Sequence, residues 1–224
     1  MMNIILIAPP AAGKGTQSKL ISKEYNIPHI STGDLLRDEV ESGSAMGKFL
    51  KEEMDRGTLI SDDTIVNLLR ERITKVDCNN GYILDGYPRN VEQAIIYDNL
   101  VRDLGMNNYL VIFMDIDKNL VLKRTLSRMI CSGCGSSYNN DVETLKPKID
   151  GFCDKCGHNL KVRSDDNIET ANARYDTYLK QTKPLIDYYQ EKGMLREIKV
   201  RESDTTDDVF NKIKSLINYV SRIR

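Results

Sequence analysis

Lys14 carries the most chemistry in this chain. It sits in Gly13-Lys14-Gly15-Thr16, beyond the apolar run Ile4-Ile5-Leu6-Ile7 and ahead of Leu20, Ile21 and Tyr25 at helical spacing. A strand that breaks into a tight turn and then a helix turns the helix's free N–H groups and positive dipole end toward that turn. A lysine there completes a cradle for a polyphosphate. The loop departs from the usual G-x-x-x-x-G-K-[ST] pattern twice. Ala8 stands at the first glycine, and Gly15 stands where a hydroxyl would reach Mg2+. Alone, the motif also fits an ordinary strand-to-helix turn with a solvated lysine.

Cysteines supply a second chemistry. Cys131-x2-Cys134 and Cys153-x2-Cys156, each followed by glycine (Gly135, Gly157), have the spacing of a structural zinc site. Glycine after the second ligand lets backbone N–H groups turn toward the thiolates. Two disulfides would fit the same spacing, but no secretory signal is evident and a reducing compartment disfavours them. His158, two residues past Cys156, is an alternative ligand, and Cys78 is left over as a core or surface thiol. The stretch 127–166 has few apolar residues, and a region of about 40 residues rarely supports its own core. Bound zinc would supply folding free energy on the order of 10 kcal/mol. Four thiolates leave no position for water, so the metal is expected to be structural.

Arginines form the third group. Ser31-Thr32-Gly33-Asp34-Leu35-Leu36-Arg37 repeats a strand–glycine–helix layout, and Tyr82-Ile83-Leu84-Asp85-Gly86-Tyr87-Pro88-Arg89 ends a strand in a carboxylate, a turn and an arginine. Arg124 and Arg128 are four apart, which predicts a shared helix face. Arg163 follows the second cysteine pair and Arg174 lies in the next helix. Any one of these reads as a surface charge. Six at motif positions beside a phosphate loop suit two polyphosphates meeting end to end, because forked guanidinium groups match phosphate geometry.

The elements that must position these groups alternate. Strands are expected near 3–7, 28–31, 81–85, 109–115 and 195–199, and helices near 14–25, 33–42, 45–56, 62–75, 90–104, 118–128, 165–192 and 206–222. In the last of these, Val209, Ile213, Leu216, Ile217 and Val220 make one apolar stripe, with Thr205 or Thr206 as cap. Strands separated by helices predict a parallel sheet covered on both faces, and 224 residues suffice for one substantial α/β core. The stretches 31–60 and 127–166 break the alternation and read as insertions at strand ends, where such sheets bind ligands. With 32 basic and 33 acidic residues the net charge is −1, which argues against nucleic-acid or anionic-membrane partners. No apolar run approaches the roughly 20 residues of a membrane span. A soluble, cytoplasmic protein is expected. His29 and His158 are the only histidines, which lowers the odds of a His-centred hydrolase.

Taken in order, the GKGT loop, STGDLLR, LDGYPR, CSGCG with CDKCG, and RSDD before a long helix resemble adenylate kinases of the bacterial long-lid type with a zinc-bearing lid. The resemblance implies a three-layer parallel-sheet P-loop fold of the nucleoside monophosphate kinases. Its core would be 1–30, 61–126 and 167–224, with an NMP-binding insertion at 31–60 and a zinc lid at 127–166. It implies reversible ATP + AMP = 2 ADP by in-line transfer with Mg2+, maintaining adenine nucleotide balance, in a monomer. Ala11, Ala12, Gly13, Lys14, Gly15 and Thr16 would wrap the ATP phosphates, helped by Arg124, Arg128, Ser137, Tyr138 and, weakly, Ser203. Thr32, Arg37, the backbone of Thr58, Leu59 and Ile60, then Gly86, Tyr87, Pro88, Arg89 and Gln93 would hold AMP, with Gln93 and the 58–60 backbone reading adenine. Arg163 and Arg174 would reach the transferring group, Asp85 a water of Mg2+, and Cys131, Cys134, Cys153 and Cys156 the zinc. Pyrimidine relatives typically have alanine at the position of Thr32, so Thr32 favours AMP. Met129 replaces an arginine, and Glu202-Ser203 a glycine-containing turn. If Ala8 or Ala11 needs positive φ, its methyl costs about 1–2 kcal/mol and weaker ATP binding or a displaced loop follows. The competing readings are a kinase for another nucleoside monophosphate, a catalytically weak relative, and a nucleic-acid-binding zinc protein.

Overall fold

β1 (Asn3–Ile7) shows why the sheet lies inside: Ile4, Ile5, Leu6 and Ile7 are at most 3 % exposed. An unbroken apolar run suits a strand covered on both faces. In this computed structural model residues 2–56, 60–162 and 166–223 are described, Ile223 by its backbone alone. Thr58, Leu59 and Arg163 therefore lie outside the described residues. After β1 come α1 (Lys14–Tyr25), β2 (His29–Ser31), α2 (Thr32–Glu41), α3 (Ala45–Asp55), α4 (Asp62–Ile73), β3 (Ile83–Asp85), α5 (Val91–Asp103) and β4 (Tyr109–Ile116). The chain continues through α6 (Lys118–Leu126), β5 (Arg128–Cys131), β6 (Ser137–Asn139), β7 (Leu160–Val162), α7 (Ile168–Thr177), α8 (Lys183–Glu191), β8 (Leu195–Val200) and α9 (Thr206–Ile223).

Five strands form the parallel sheet in the order β2-β3-β1-β4-β8. Leu6 and Ser31 both pair with Asp85, so the carboxyl ends of β1, β2 and β3 are level and Asp85 stands at that edge. The α/β fold class with its parallel sheet is as expected, whereas the small second sheet, built within 127–166, is not among the strands expected from the sequence. That second sheet is antiparallel, in the order β6-β5-β7, with Met129 opposite both Tyr138 and Val162. Two compact units make up the chain: one from Met1–Ile7, Ser18–Ile112 and Pro184–Arg196, the other from Ala8–Gln17, Phe113–Lys183 and Glu197–Arg224.

Local chemistry explains the element ends. Asn90 caps α5 by accepting from Gln93 N–H at 2.8 Å, and Ser61 caps α4 by accepting from Thr64 N–H at 3.3 Å. Thr205 caps α9 reciprocally with Asp208: Asp208 N–H donates to Thr205 Oγ1 at 3.1 Å and Thr205 N–H to Asp208 Oδ2 at 2.9 Å. Val209, Ile213, Ile217 and Val220 form the buried stripe of that helix. In the first unit, Tyr188 donates to Asp98 at 2.6 Å, and Tyr109 and Lys192 reach the same carboxylate, which staples α5, β4 and α8.

Two helix expectations need correction. The helix expected over 118–128 stops at Leu126, so Arg124 and Arg128 do not share a helix face: Arg128 opens β5. The cause lies downstream, where buried Asn139 donates its side-chain N–H to Arg124 C=O at 3.0 Å while its own residue pairs with Arg128 across the sheet. Orphan carbonyls at the helix end are thus met from β6, and strand pairing takes over. The single helix expected over 165–192 contains a widened turn at Tyr178–Thr182, with Lys183 N–H bonded to Tyr178 C=O. Pro184 follows directly. Its ring has no N–H and crowds the preceding turn, which the wider turn accommodates.

Candidate active site

The phosphate-loop candidate, in the second unit, has the local geometry of an anion cradle. Ala11 sits at φ +57° and Gly13 at φ +89°, so the chain reverses hand twice before Lys14 opens α1. Ala12 is buried, and Gln17 N–H donates to Gly13 C=O at 3.0 Å. Gln17's amide also holds Thr206 C=O at 3.0 Å, tying the loop's base to the start of α9. Lys14, Gly15 and Thr16 lie in the first helical turn, where N–H groups have no intrahelical partner.

Arginines in the same unit divide into two environments. Arg124 on α6 is 6 % exposed, and its Nε finds no acceptor among the described residues. Burial holds its guanidinium below the ordinary value, against the pull of Asp204 and Glu202. An orphaned N–H on a buried cation is a place for an anion to bind. Arg128 makes a forked pair with Asp166, Nε to Oδ2 at 2.8 Å and Nη2 to Oδ1 at 2.5 Å, and Arg174 on α7 reaches Oδ1 at 3.7 Å. The Asp166 side chain is fully buried. Sequence reasoning missed Asp166 as a site residue, although the RSDD motif carried the signal: an acid three residues past one candidate arginine. Ser137 is exposed on β6, and Ser203 lies in an exposed turn where Asp204 N–H returns to Arg201 C=O at 3.2 Å.

The first unit gathers the other candidates at the ends of β2 and β3. Thr32, 5 % exposed, donates to Gly86 C=O at 3.3 Å, and Arg89 Nε donates to the same oxygen at 2.8 Å. Gly86 has φ +83°, and a Cβ there would meet Thr32 Oγ1 at 3.3 Å, so only glycine suits the turn. The Tyr87–Pro88 bond is cis. Arg37 is exposed and paired with Asp34 one helical turn before it. Gln93, 9 % exposed, accepts from Arg89 N–H at 2.8 Å and donates to Asp62 at 2.7 Å. Asp85 accepts from, or pairs with, His29 Nε2 at 3.1 Å through Oδ2. Ile60 is described, immediately before the α4 cap.

The four cysteines converge. Their Sγ atoms all lie within 4.8 Å of one another, with Cys131 to Cys156 at 3.3 Å and Cys134 to Cys153 at 3.6 Å. A tetrahedron with Zn–S of about 2.3 Å has edges of about 3.8 Å, so the donor set fits zinc. Gly133 and Cys134 N–H groups donate to Cys131 Sγ at 3.3 and 3.4 Å. The Tyr138 hydroxyl, 3.4 Å from Cys153 Sγ, holds that thiol down at about 6, helped by the N–H groups of Lys155 and Cys156. Tyr138's ring is buried with Met129, Cys131 and Cys153, so its side chain packs against the thiol cluster. His158 stays outside: its Nδ1 lies 3.1 Å from Cys156 C=O. Cys78 is a buried thiol whose proton burial holds in place.

Residues 6–194 match the family model described as adenylate kinase. An adenylate kinase of Clostridioides difficile (strain 630) is 44 % identical over 212 residues, 95 % of this chain and 96 % of that protein. One from Thermosipho africanus (strain TCF52B) is 43 % identical over 221 residues, covering 99 % of this chain and all of that protein. One from Caldanaerobacter subterraneus subsp. tengcongensis is 41 % identical over 216 residues, 96 % of each.

Proposed function

The chain belongs to the adenylate kinase family, and from that premise we propose how its residues divide the work of the reaction. It catalyses the reversible interconversion of ATP and AMP with two ADP. Ala11 to Thr16 take the ATP phosphates, with Lys14 as principal charge, and Arg124 and Arg128 clamp them from the α6–β5 side with Ser137 and Ser203 nearby. Thr32, Arg37, the 58–60 backbone and Gly86 to Arg89 hold AMP, and Gln93 reads its base. Arg163 and Arg174 reach the transferring group. Asp166 keeps two of these guanidiniums oriented before nucleotide arrives. The core, AMP-binding and lid divisions at 1–30, 61–126 and 167–224, at 31–60 and at 127–166 belong to this reading, as do a monomeric state and a cytoplasmic location. No described helix is long and apolar enough to cross a membrane.

The chemistry needs no covalent intermediate. Lys14 and the arginines neutralise charge on the equatorial oxygens while the two nucleotides are held for in-line displacement. Mg2+ bound with the nucleotide would supply Lewis-acid neutralisation of phosphate charge, and Asp85 is the residue that would hold it through water. Water is the competing acceptor, so the cysteine-bearing segment acts as a flap that excludes it; adenylate kinase lids are themselves a known case of such gating. Cys131, Cys134, Cys153 and Cys156 would hold a structural zinc that stiffens that flap without touching substrate.

The near-full-length likeness to adenylate kinases carries this conclusion. A coupled assay for ADP from ATP, AMP and Mg2+ tests it, alongside GMP, CMP and UMP as acceptors. Lys14→Ala should lower kcat/KM by about 10²–10³, the usual scale for losing one charge-stabilising donor. Arg89→Ala should raise the KM for AMP. Purified protein that binds both nucleotides yet forms no ADP would sink the reading.

A further inference from the structure

The Gln93 amide is gripped by two neighbours whose polarity cannot be exchanged. Arg89 N–H donates to its Oε1 at 2.8 Å, and its Nε2 donates to Asp62 Oδ1 at 2.7 Å. A backbone N–H has only a proton to give, and an ionised carboxylate has only lone pairs. Turning the amide over would set N–H against N–H and C=O against carboxylate, in a side chain only 9 % exposed. Both partners are held by helix starts: Asp62 is the first residue of α4, where its charge suits the dipole, and Gln93 lies in the first turn of α5 behind its Asn90 cap.

We propose that Asp62 is a specificity-determining positioning residue: it locks the Gln93 amide in the orientation that accepts a 6-aminopurine and rejects a 6-oxopurine. The proposal rests on the reading above in which Gln93 meets the acceptor's base. With two bonds used, Gln93 keeps one N–H and one oxygen lone pair. Adenine offers a donor at N6 beside a ring nitrogen acceptor, which complements that pair. A 6-oxopurine offers the acceptor O6 at the same place, which faces the fixed Oε1 as a second acceptor. Only the flipped amide would serve it, and Asp62 opposes the flip.

The test measures kcat/KM for AMP and for IMP in the wild type, Asp62→Asn and Gln93→Leu. Asparagine can give or accept, so it releases the lock. Asp62→Asn should cut the AMP-over-IMP ratio by about tenfold, equivalent to about 1.4 kcal/mol. The loss should appear in KM for AMP more than in kcat, with KM for IMP falling. Asp62→Ser, a good helix-start residue whose hydroxyl also gives or accepts, should reproduce the change and covers the case of a poorly folded Asp62→Asn. A ratio unchanged in both Asp62 variants while Gln93→Leu collapses it overturns the lock and leaves Gln93 as the base reader. A ratio unchanged in Gln93→Leu overturns both. An equal loss for AMP and IMP in the Asp62 variants also overturns the lock, since general damage would do that.

Discussion

At Ala11 the backbone has φ +57°, a region where a β-carbon crowds the following carbonyl. Among the described non-glycine residues only Asn26 shares it, so Ala8, the other alanine at a usual glycine position, carries no such strain. The left-handed conformation costs an L residue about 1–2 kcal/mol, while glycine loses about 0.5–1 kcal/mol more chain entropy on folding. The difference favours Ala11→Gly by roughly 0.5–1 kcal/mol of stability. Urea melts should show it, and KM for ATP should fall as the loop stops resisting its own shape. An Ala11→Gly variant that is less stable, with unchanged KM, would show that the strain is not stored there. Asp166 makes a different point at this scale. Its buried carboxylate meets Arg128 across 38 residues of sequence, a pairing that no local pattern announces.

Among the elements, the small sheet of β5, β6 and β7 has little apolar packing of its own, and a zinc on the four clustered cysteines would supply what is missing. Its buried cluster is Met129, Cys131, Tyr138 and Cys153, two of which are cysteines. Metal release should therefore cost folding free energy before it costs chemistry. A strong thiol-competing chelator is expected to remove one zinc per chain and lower the Tm by several degrees, with turnover at low temperature largely kept. Immediate loss of turnover from chelated protein with an unchanged circular dichroism spectrum would contradict a structural metal. At the other end of the chain, Thr205→Ala removes the hydroxyl half of the reciprocal cap on α9 and leaves the residue 205 N–H bond to Asp208 in place. It should cost about 1 kcal/mol, measured by denaturant melts, with kcat unaltered.

Across the whole molecule, tyrosines stand in for the missing tryptophans. Tyr82, Tyr97, Tyr109 and Tyr189 are at most 2 % exposed, and Tyr97–Tyr109 and Tyr109–Tyr189 meet edge to face with centroids 5.4 and 6.1 Å apart. Tyr82 and Tyr97 hydroxyls bond at 2.9 Å. Burial pushes Tyr82 up to about 12 and raises Tyr97, Tyr109 and Tyr189 further above the ordinary value. The folded state thus keeps protons that the unfolded chain loses above about pH 10. Stability contributed by these groups is complete below that pH and declines as pH rises through the folded values, by up to about 1.4 kcal/mol per pH unit for each group. Urea melts between pH 8 and 11 should show a flat region and then a steep fall, with the phenolate absorbance of the four buried rings, beyond that of exposed tyrosines such as Tyr219, appearing only as the protein unfolds. These ranges are set by about two units around the free-tyrosine value. Phenolate absorbance that reaches the full tyrosine complement while the protein is still folded would show the ring cluster to be open to solvent.

Most strands and helices were legible in the sequence because each records its own burial as a local period. The apolar run of β1, the stripe of α9 and the Gly-Lys-Gly-Thr turn needed nothing distant to be read. The cysteine spacing likewise announced the convergence of the four thiols, since ligand geometry is written into short intervals. What failed, or stayed silent, depended on partners far along the chain. The helix before Arg128 ends where Asn139 caps it, Tyr138 turns inward to serve Cys153, and Asp166 claims Arg128 and Arg174. The polarity of Gln93 is settled by Asp62, 31 residues away. Periodicity tells which face of an element is buried, whereas only the folded chain decides which donor meets which acceptor, because that pairing is a matter of distance in space.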